Sequence, residues 1–291
     1  MISANLVKEL REKTGAGMLD CKKALEATNN MEEAIDWLRE KGISKAGKKQ
    51  DRIAAEGTTF AIAEGNKAAI IEVNSETDFV AKNKEFTEMV KEIAETILNS
   101  EVRTLEEAMN LKVSEGSLSD LIIAKTAKIG EKLSFRRFEK VLKTDSQVFG
   151  IYIHMGGKIT TLVLLDGNTE EVANNIAMQA AAMRPLFVNK EDVPAETLEK
   201  EKAIMKEQLL NEGKPEAVIE KILIGKVNKY YEEVCLEEQA YIKAENKETV
   251  GKYAEANNCK VVSMFRFEVG EGMEKRSENF AEEVEKQIKG E

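Results

Sequence analysis

The segment EVNSETDFVAK, residues 72–82, connects a strand pattern to a helix pattern and brings an acidic residue and a large aromatic residue to the corner between them. Residues 69–73 are mostly apolar, as in a buried strand. Residues 80–98 repeat apolar side chains at helical spacing. Serine, threonine and aspartate are common helix N-caps, so the segment predicts a strand, a capped corner and a helix.

Two interpretations of the corner are open from these residues. In the first, Thr77 or Asp78 caps the helix and Phe79 packs at its entry against the core, as in a hydrophobic staple. In the second, Asp78 and Phe79 project from the corner and contact another molecule. The two interpretations differ in whether the ring of Phe79 is buried.

Residues 1–45 carry three short helical patterns and predict a small three-helix module. The patterns are separated by Gly15-Ala16-Gly17 and by an asparagine pair, and they cover roughly these residues: 4–14, 18–27 and 31–41. Apolar side chains on the three patterns can close one core: Leu6, Leu10, Cys21, Leu25, Ile35 and Leu38. The basic connection that follows, residues 46–55, is expected to be a linker.

Beyond the linker, the chain repeats one pattern of a hairpin, a helix and a closing strand. Strand pairs around turn residues mark hairpins at residues 58–73 and 148–165. The closing strands, 134–139 and 263–268, share serine, arginine, phenylalanine and glutamate at matching places. The repeat predicts an α+β fold with two related α/β subdomains, each with an antiparallel sheet: residues 56–142 and 143–269.

The second copy is longer than the first and is expected to carry an inserted helical hairpin at about residues 190–229. Two helical patterns are separated there by Gly213-Lys214-Pro215, which breaks a helix. Such an arm can pack on its own domain or pair with another chain, and the residues favour neither. Residues 270–291 are expected to form a C-terminal helical module.

The composition argues against several classes of function. The chain has 43 basic and 53 acidic residues and a net charge of −10, which opposes broad contact with a phosphate backbone. Direct binding of nucleic acid is therefore not expected. The cysteines, Cys21, Cys235 and Cys259, are too far apart for a CxxC metal site and fit a reducing compartment. Without an apolar signal core or a run near the roughly 20 apolar residues of a membrane span, a cytoplasmic protein is expected.

The sequence lacks the motifs of a nucleotide-hydrolysing or metal-dependent enzyme. Gly156-Gly157-Lys158 lacks the first glycine of a GxxxxGK[ST] loop and is followed by Ile159 instead of a hydroxyl residue. The only histidine, His154, has no cysteine, serine or second histidine nearby in sequence with which to form a nucleophile or metal set. We therefore expect no catalytic residues, no metal site and no cofactor.

Several separated segments resemble the family of bacterial elongation factor Ts, the nucleotide-exchange factor for elongation factor Tu. TDFVAKN, residues 77–83, resembles the family signature, and residues 6–42 are similar to the family's opening module almost throughout. Further similar segments follow in family order: IHMGGKI at 153–159, NIAMQAAAMRP at 175–185 and FRFEVGEGMEK at 265–275.

The resemblance implies a nucleotide-exchange function with elongation factor Tu as the partner, both GDP-bound and nucleotide-free. It implies that Phe79 enters between helices of the partner's nucleotide domain, with Thr77, Asp78 and Val80 beside it, and disturbs the Mg²⁺ site. It also implies that the turn of His154, Gly156 and Gly157 lies near the partner's phosphate-binding region, so that this turn acts as a contact and not as a base.

The resemblance further implies that the N-terminal module is similar to ubiquitin-associated domains and grips the same domain of the partner. The residues implied at its turn are Leu10, Gly15, Ala16, Gly17 and Met18. The inserted hairpin is implied to be a protruding coiled-coil arm used for contacts, which allows a homodimer of the complex through the arm.

Two other interpretations remain at this point. A non-catalytic helical adaptor would recruit partners through the three-helix module and the acidic arm without exchanging nucleotide. A hydrolase would use Glu76 and Asp78 as an acid and base pair, although acidic runs are usually solvated faces. An exchange factor should need Phe79 for nucleotide exchange, whereas an adaptor should need the three-helix module for binding. A hydrolase should turn over its substrate without any protein partner.

Overall fold

A computed structural model describes residues 2–14, 16–28, 30–47, 49, 51–114, 116–246 and 248–274. Within these residues the protein mixes helices with antiparallel sheets, which confirms the predicted α+β class. The chain divides into two compact units. The first unit comprises Met1–Thr59, Ile71–Phe138 and Glu268–Glu291, and the second comprises Phe60–Ile70 and Glu139–Phe267. The predicted domain boundaries stay a prediction.

The N-terminal module consists of three helices: α1 (Ala4–Thr14), α2 (Met18–Ala27) and α3 (Met31–Gly47). Its core contains these buried side chains: Val7, Leu10, Cys21, Ala24 and Ala34. The first two helices end where the sequence predicts, but α3 continues past the predicted end at residue 41. Gly42 lies in this extension, where a Cβ would be 3.4 Å from that of Ala127. The small residue lets α3 pack closely on another helix of the first unit.

The first sheet has the strand order β1-β2-β5, and the segments between its strands supply the helices that surround the corner. The elements are β1 (Glu56–Glu64), β2 (Lys67–Ser75), α4 (Asp78–Ala81), α5 (Lys84–Leu98), α6 (Leu105–Met109), β3 (Lys112–Val113), β4 (Gly116–Ser117), α7 (Leu118–Ile129) and β5 (Ser134–Leu142). α5 buries the predicted apolar stripe: Phe86, Val90, Ile93 and Ile97. The corner is therefore followed by a helix, α5, whose apolar face is buried in the core.

The second sheet repeats this order as β6-β7-β8. Its elements are β6 (Gln147–His154), β7 (Ile159–Asp166), α8 (Glu170–Met183), α9 (Ala195–Asn211), α10 (Glu216–Val234), α11 (Val250–Ala256) and β8 (Lys260–Glu268). β6 and β7 pair antiparallel from Gln147 opposite Asp166 to His154 opposite Ile159. Both predicted hairpins are thus present, and each sheet adds a later strand beside its hairpin.

The helical arm of the second unit is the hairpin of α9 and α10. Gly213 adopts a φ of 73° between the two helices, a conformation that glycine takes without a side-chain clash. The hairpin starts after Pro194 and continues to Val234, beyond the predicted end near residue 229.

Residues 275–291, most of the predicted C-terminal module, lie outside the described residues. None of the helices in the described part of the chain is both long and apolar enough to cross a membrane.

Candidate functional site

Thr77 caps the corner between β2 and α4. Its hydroxyl oxygen accepts a hydrogen bond from the Val80 N–H at 3.4 Å, and the Ser75 hydroxyl donates to its carbonyl oxygen at 2.9 Å. A cap of this kind satisfies a helix N–H that has no partner within the helix. The chain can therefore turn sharply after Ser75 and start α4 at Asp78.

Glu131 holds the corner from a distant part of the sequence. Its carboxylate accepts the Thr77 N–H at 2.9 Å and the Thr77 hydroxyl at 2.7 Å. Hydrogen bonds to an ionised carboxylate are shorter and stronger than neutral ones. Two of them on one residue fix both the backbone and the side chain of Thr77, so the corner is rigidly placed.

Phe79 projects from the corner into solvent. Its side chain is 81% exposed, whereas Ala81, two residues further, is buried. The interpretation of Phe79 as a hydrophobic staple is therefore wrong. A large aromatic side chain that is exposed on a fixed backbone is available for a partner without reorganisation of the corner.

The carboxylates of the corner are engaged separately. Asp78 Oδ2 lies 2.6 Å from Lys82 Nζ, one helical turn away. Glu76 accepts the Lys132 N–H at 2.6 Å and lies 3.4 Å from Arg52 Nη1. These contacts tie Glu76 to the chain that follows α7 and leave Asp78 at the surface beside Phe79. They do not form the acid and base pair that a hydrolase would require.

Ion pairs hold the start of α5 against α7. Glu85 Oε1 lies 2.6 Å from Lys128 Nζ and 3.3 Å from Lys125 Nζ. Partial burial alone would raise the pKa of the Glu85 carboxyl, but hydrogen bonds and attraction from the two lysines outweigh it and hold this pKa below its usual value. The helix after the corner therefore starts at a fixed place.

The predicted turn around His154 lies in the second unit, between β6 and β7. The Gly157 N–H donates to the His154 carbonyl at 3.1 Å, and Met155 adopts a φ of 49° with its side chain exposed. The His154 ring stacks on Tyr152 at a centroid distance of 5.8 Å, and its Nδ1 lies 3.4 Å from the Tyr152 hydroxyl. Gly156 is exposed at the tip, His154 is partly exposed and Gly157 is buried. The turn therefore presents the Met155 side chain and the backbone of Gly156.

The turn between α1 and α2 of the module presents some of its predicted residues and not others. Gly17 and Met18 are exposed and Ala16 is partly exposed, whereas Gly15 lies outside the described residues. Leu10 has no exposed surface, so its side chain is not available to a partner while the module is folded. Leu19, beside Met18, is 75% exposed as well and was not predicted from the sequence. The sequence does place two apolar residues, Met18 and Leu19, side by side at the start of a helix, and this pattern could have indicated Leu19.

These features define a protein that contacts another protein. The described residues contain no group of three or more His, Cys, Asp or Glu side chains placed to hold a metal ion. What the sites share is exposed apolar and aromatic surface on fixed turns, which is typical of protein interfaces.

The family model for Elongation factor TS matches residues 76–271, about two thirds of the chain. The chain belongs to this family. The family acts in translation elongation and guanine nucleotide exchange, with elongation factor Tu (EF-Tu) as partner. Both the Phe79 corner and the His154 turn lie inside the matched residues, whereas the N-terminal module precedes them.

Proposed function

We propose that this protein binds EF-Tu·GDP and accelerates GDP release by inserting Phe79 into the nucleotide domain of EF-Tu, which disturbs the Mg²⁺ and phosphate site. The observation that supports the proposal is the 81% exposure of Phe79 on a corner fixed by Glu131. A cytoplasmic site of action is part of the proposal.

Linkage explains how such a contact releases a nucleotide. A G protein holds GDP through its phosphates and Mg²⁺, so a factor favours release only if it binds more tightly to the state in which those contacts are broken. The factor and the nucleotide then weaken each other's binding by the same ratio. Burial of one large aromatic side chain contributes about 1.5–3 kcal/mol, which corresponds to a ratio of roughly 10 to 150.

The residues around Phe79 have separate parts in this proposal. Thr77 places the ring, Val80 extends the apolar surface, and Asp78 brings a negative charge close to the Mg²⁺ site. In the second unit, His154 and Gly156 contact the phosphate-binding region, and Gly157, which is buried, closes the turn through its hydrogen bond to the His154 carbonyl. The turn of the N-terminal module binds the outer face of the nucleotide domain through Ala16, Gly17, Met18 and Leu19, with Gly15 at the same turn and Leu10 supporting it from the core.

The direct test is stopped-flow release of fluorescent GDP from EF-Tu with and without this protein. We expect release that accelerates with the concentration of the protein. If the protein binds EF-Tu and leaves the release rate unchanged, the exchange proposal is wrong and the adaptor interpretation replaces it.

Removal of the Glu131 anchor is expected to weaken the corner without removing Phe79. Glu131→Ala deletes both hydrogen bonds to Thr77, and hydrogen bonds to charged groups contribute about 1.5–3 kcal/mol each. We expect GDP release to slow several-fold, by a smaller factor than when the ring itself is removed. Glu131→Gln, which keeps one acceptor oxygen, should lie between wild type and Glu131→Ala. Equal release rates for all three proteins would contradict the role of Glu131.

The exposed pair on the module gives a prediction for affinity. Replacement of Met18 and Leu19 by serine removes apolar surface that is exposed in the free protein, so stability should be preserved. If EF-Tu covers this surface, its Kd measured by titration calorimetry should rise by about tenfold or more. Leu105→Ser, another exposed leucine, is the control and should leave the Kd unchanged. An unchanged Kd for the double variant would place the interface elsewhere.

We also propose that the helical arm can join two copies of the complex. Ile204, Leu210, Val218 and Ile224 on α9 and α10 are exposed, and exposed apolar side chains on a helical hairpin suit pairing with a second hairpin. A mass that stays that of a single complex at all concentrations in analytical ultracentrifugation would reject this part alone.

A further inference from the structure

A short bend follows α7, at residues 130–132, and contacts two parts of the first unit: the chain that leaves the N-terminal module and the corner of Phe79. Gly130 starts the bend with a φ of 92° and donates its N–H to the Thr126 carbonyl at 3.0 Å. At the other end, the Leu133 N–H donates to the Thr126 hydroxyl at 3.2 Å. Because Thr126 is buried in α7, the bend is fixed to this helix at both of its ends.

Two lysines bind the chain that leaves the module to this bend. Lys49 Nζ donates to the Gly130 carbonyl, and Lys132 Nζ donates to the Arg52 carbonyl at 3.0 Å. Between these contacts, the Arg52 N–H donates to the Lys49 carbonyl at 3.0 Å and closes a turn of the chain. Hydrogen bonds from a charged donor are stronger than neutral ones, so the chain after α3 is held against the bend.

Two carboxylates bind the corner to the same bend. Glu131 accepts two hydrogen bonds from Thr77, and Glu76 accepts the Lys132 N–H at 2.6 Å. Both carboxylate oxygens of Glu76 also lie 3.4 Å from Arg52 Nη1. The Arg52 side chain therefore contacts the carboxylate that holds the Lys132 backbone, while the Lys132 side chain holds the Arg52 backbone. These reciprocal contacts join the module's chain, the bend and the corner.

The module is also connected to α7 directly. α3 packs on α7 at Gly42 and Ala127, and Arg39 on α3 lies 3.1 Å from Asp120 on α7. Both connections lead through α7 and its bend to the corner. The pair of Arg52 and Glu76 would contribute little by itself, because Arg52 is about half exposed. Its effect depends on the Lys132 contacts that join the same segments.

We infer that Arg52 and Lys132 are positioning residues, which hold the N-terminal module and the Phe79 corner in one fixed geometry, so that docking of the module aims the ring at its site. This inference rests on the proposed function. Two contacts on one rigid body meet a partner at a higher effective concentration than two contacts on a flexible chain. Because the ring contact forms as GDP leaves, the coupling acts on the release step and not on the first binding step.

One pair of substitutions removes the reciprocal side-chain contacts and leaves the two partner surfaces intact. Arg52→Gln with Lys132→Met, the uncoupled variant, deletes the guanidinium and the ammonium group and keeps most of each side-chain stem. The control variant carries the same types of substitution at exposed positions of the first unit, Arg103→Gln with Lys91→Met.

Distances between two spin labels in the full chain test the coupling without EF-Tu. The labels are attached at Leu19→Cys on the module and at Phe79→Cys at the corner, both of which are exposed positions. The native cysteines are buried, which favours labelling at the introduced ones. The distribution of distances should be narrow in the labelled chain and in the control variant, and it should broaden in the uncoupled variant.

Release of fluorescent GDP from EF-Tu at increasing concentrations of the unlabelled protein tests the positioning role. The uncoupled variant should reach a maximal rate lower by about threefold to tenfold, at an unchanged half-maximal concentration. A variant that only folded less well would show the opposite, since a smaller folded fraction raises the half-maximal concentration and leaves the maximal rate. Arg52→Lys with Lys132→Arg keeps both positive charges and should restore most of the rate.

The two measurements separate the possible failures. Equally narrow distances in the uncoupled variant and the control would show that the packing of α3 on α7 alone holds the module, and would overturn the coupling. Broader distances with the wild-type maximal rate would overturn the positioning role. If the wild-type protein binds EF-Tu without accelerating release, the proposed function and the positioning role fail together, whereas the distances still decide whether the module and the corner are coupled.

Discussion

Replacement of Phe79 by alanine is expected to slow the GDP release that this protein promotes in EF-Tu by about one to two orders of magnitude. The ring is 81% exposed in the free protein, so its removal leaves no cavity and stability should change by less than about 0.5 kcal/mol. What is lost is the burial of one aromatic side chain in the partner, worth about 1.5–3 kcal/mol. In the proposed mechanism this contact is absent from the EF-Tu·GDP ground state and forms as Mg²⁺ and GDP leave, so its loss raises the barrier to release and appears in the rate.

Two substitutions at position 79 distinguish insertion of the aromatic ring from a general apolar contact. Stopped-flow release of fluorescent GDP should be measured for wild type, Phe79→Ala and Phe79→Leu, with leucine intermediate because it restores part of the apolar area. Leu142→Ala is the control, since this leucine is 67% exposed at the end of β5 and should leave the rate unchanged. A Phe79→Ala protein that releases GDP at the wild-type rate would remove Phe79 from the mechanism.

The hairpins and the helices of the module follow from local patterns, and the sequence was sufficient to predict them. Turn residues fix a hairpin because they set the chain reversal within a few residues, and the turn of β6 and β7 around Gly156 and Gly157 was predicted in this way. The end of α3 was not predicted: the helix continues past residue 41, and at Gly42 it packs against Ala127, a contact between residues that are far apart in sequence.

The exposure of Phe79 could not be decided from its neighbours. A staple and a projecting aromatic have the same local sequence: a capping residue followed by an apolar one. The placement of the corner involves a contact that the local sequence does not contain, because Glu131 holds Thr77 across 54 residues of sequence. Burial of Leu10 shows the converse case, since a helix of the module can turn a residue inward although the nearby turn is exposed. Local patterns thus predicted the elements that carry these residues but did not determine which side chains face solvent.

Glu72, on the strand that leads to the corner, carries the second large prediction. Its side chain is fully buried, yet its carboxylate accepts hydrogen bonds from Arg136 at 2.9 Å, Arg137 at 2.6 Å and the Gly270 N–H at 2.8 Å. Gly270 reaches this position with a φ of 69°, where a side chain would be strained. One buried carboxylate thereby joins β2, β5 and the chain after β8 within the first unit.

Glu72→Ala is expected to lower the free energy of unfolding by about 3–5 kcal/mol, because removal of one partner of a buried ion pair leaves the other charges without compensation. The value should lie near the lower end, since Arg136 and Arg137 are partly exposed and can recruit water. Glu72→Gln keeps an acceptor oxygen and should lose less, and Glu139→Ala, at an exposed position of β5, should lose almost nothing. Urea unfolding of the three variants gives the order directly. If Glu72→Ala unfolded at the same urea concentration as Glu139→Ala, the carboxylate would not hold these segments together, and the strand that presents Phe79 would owe its position to apolar packing alone.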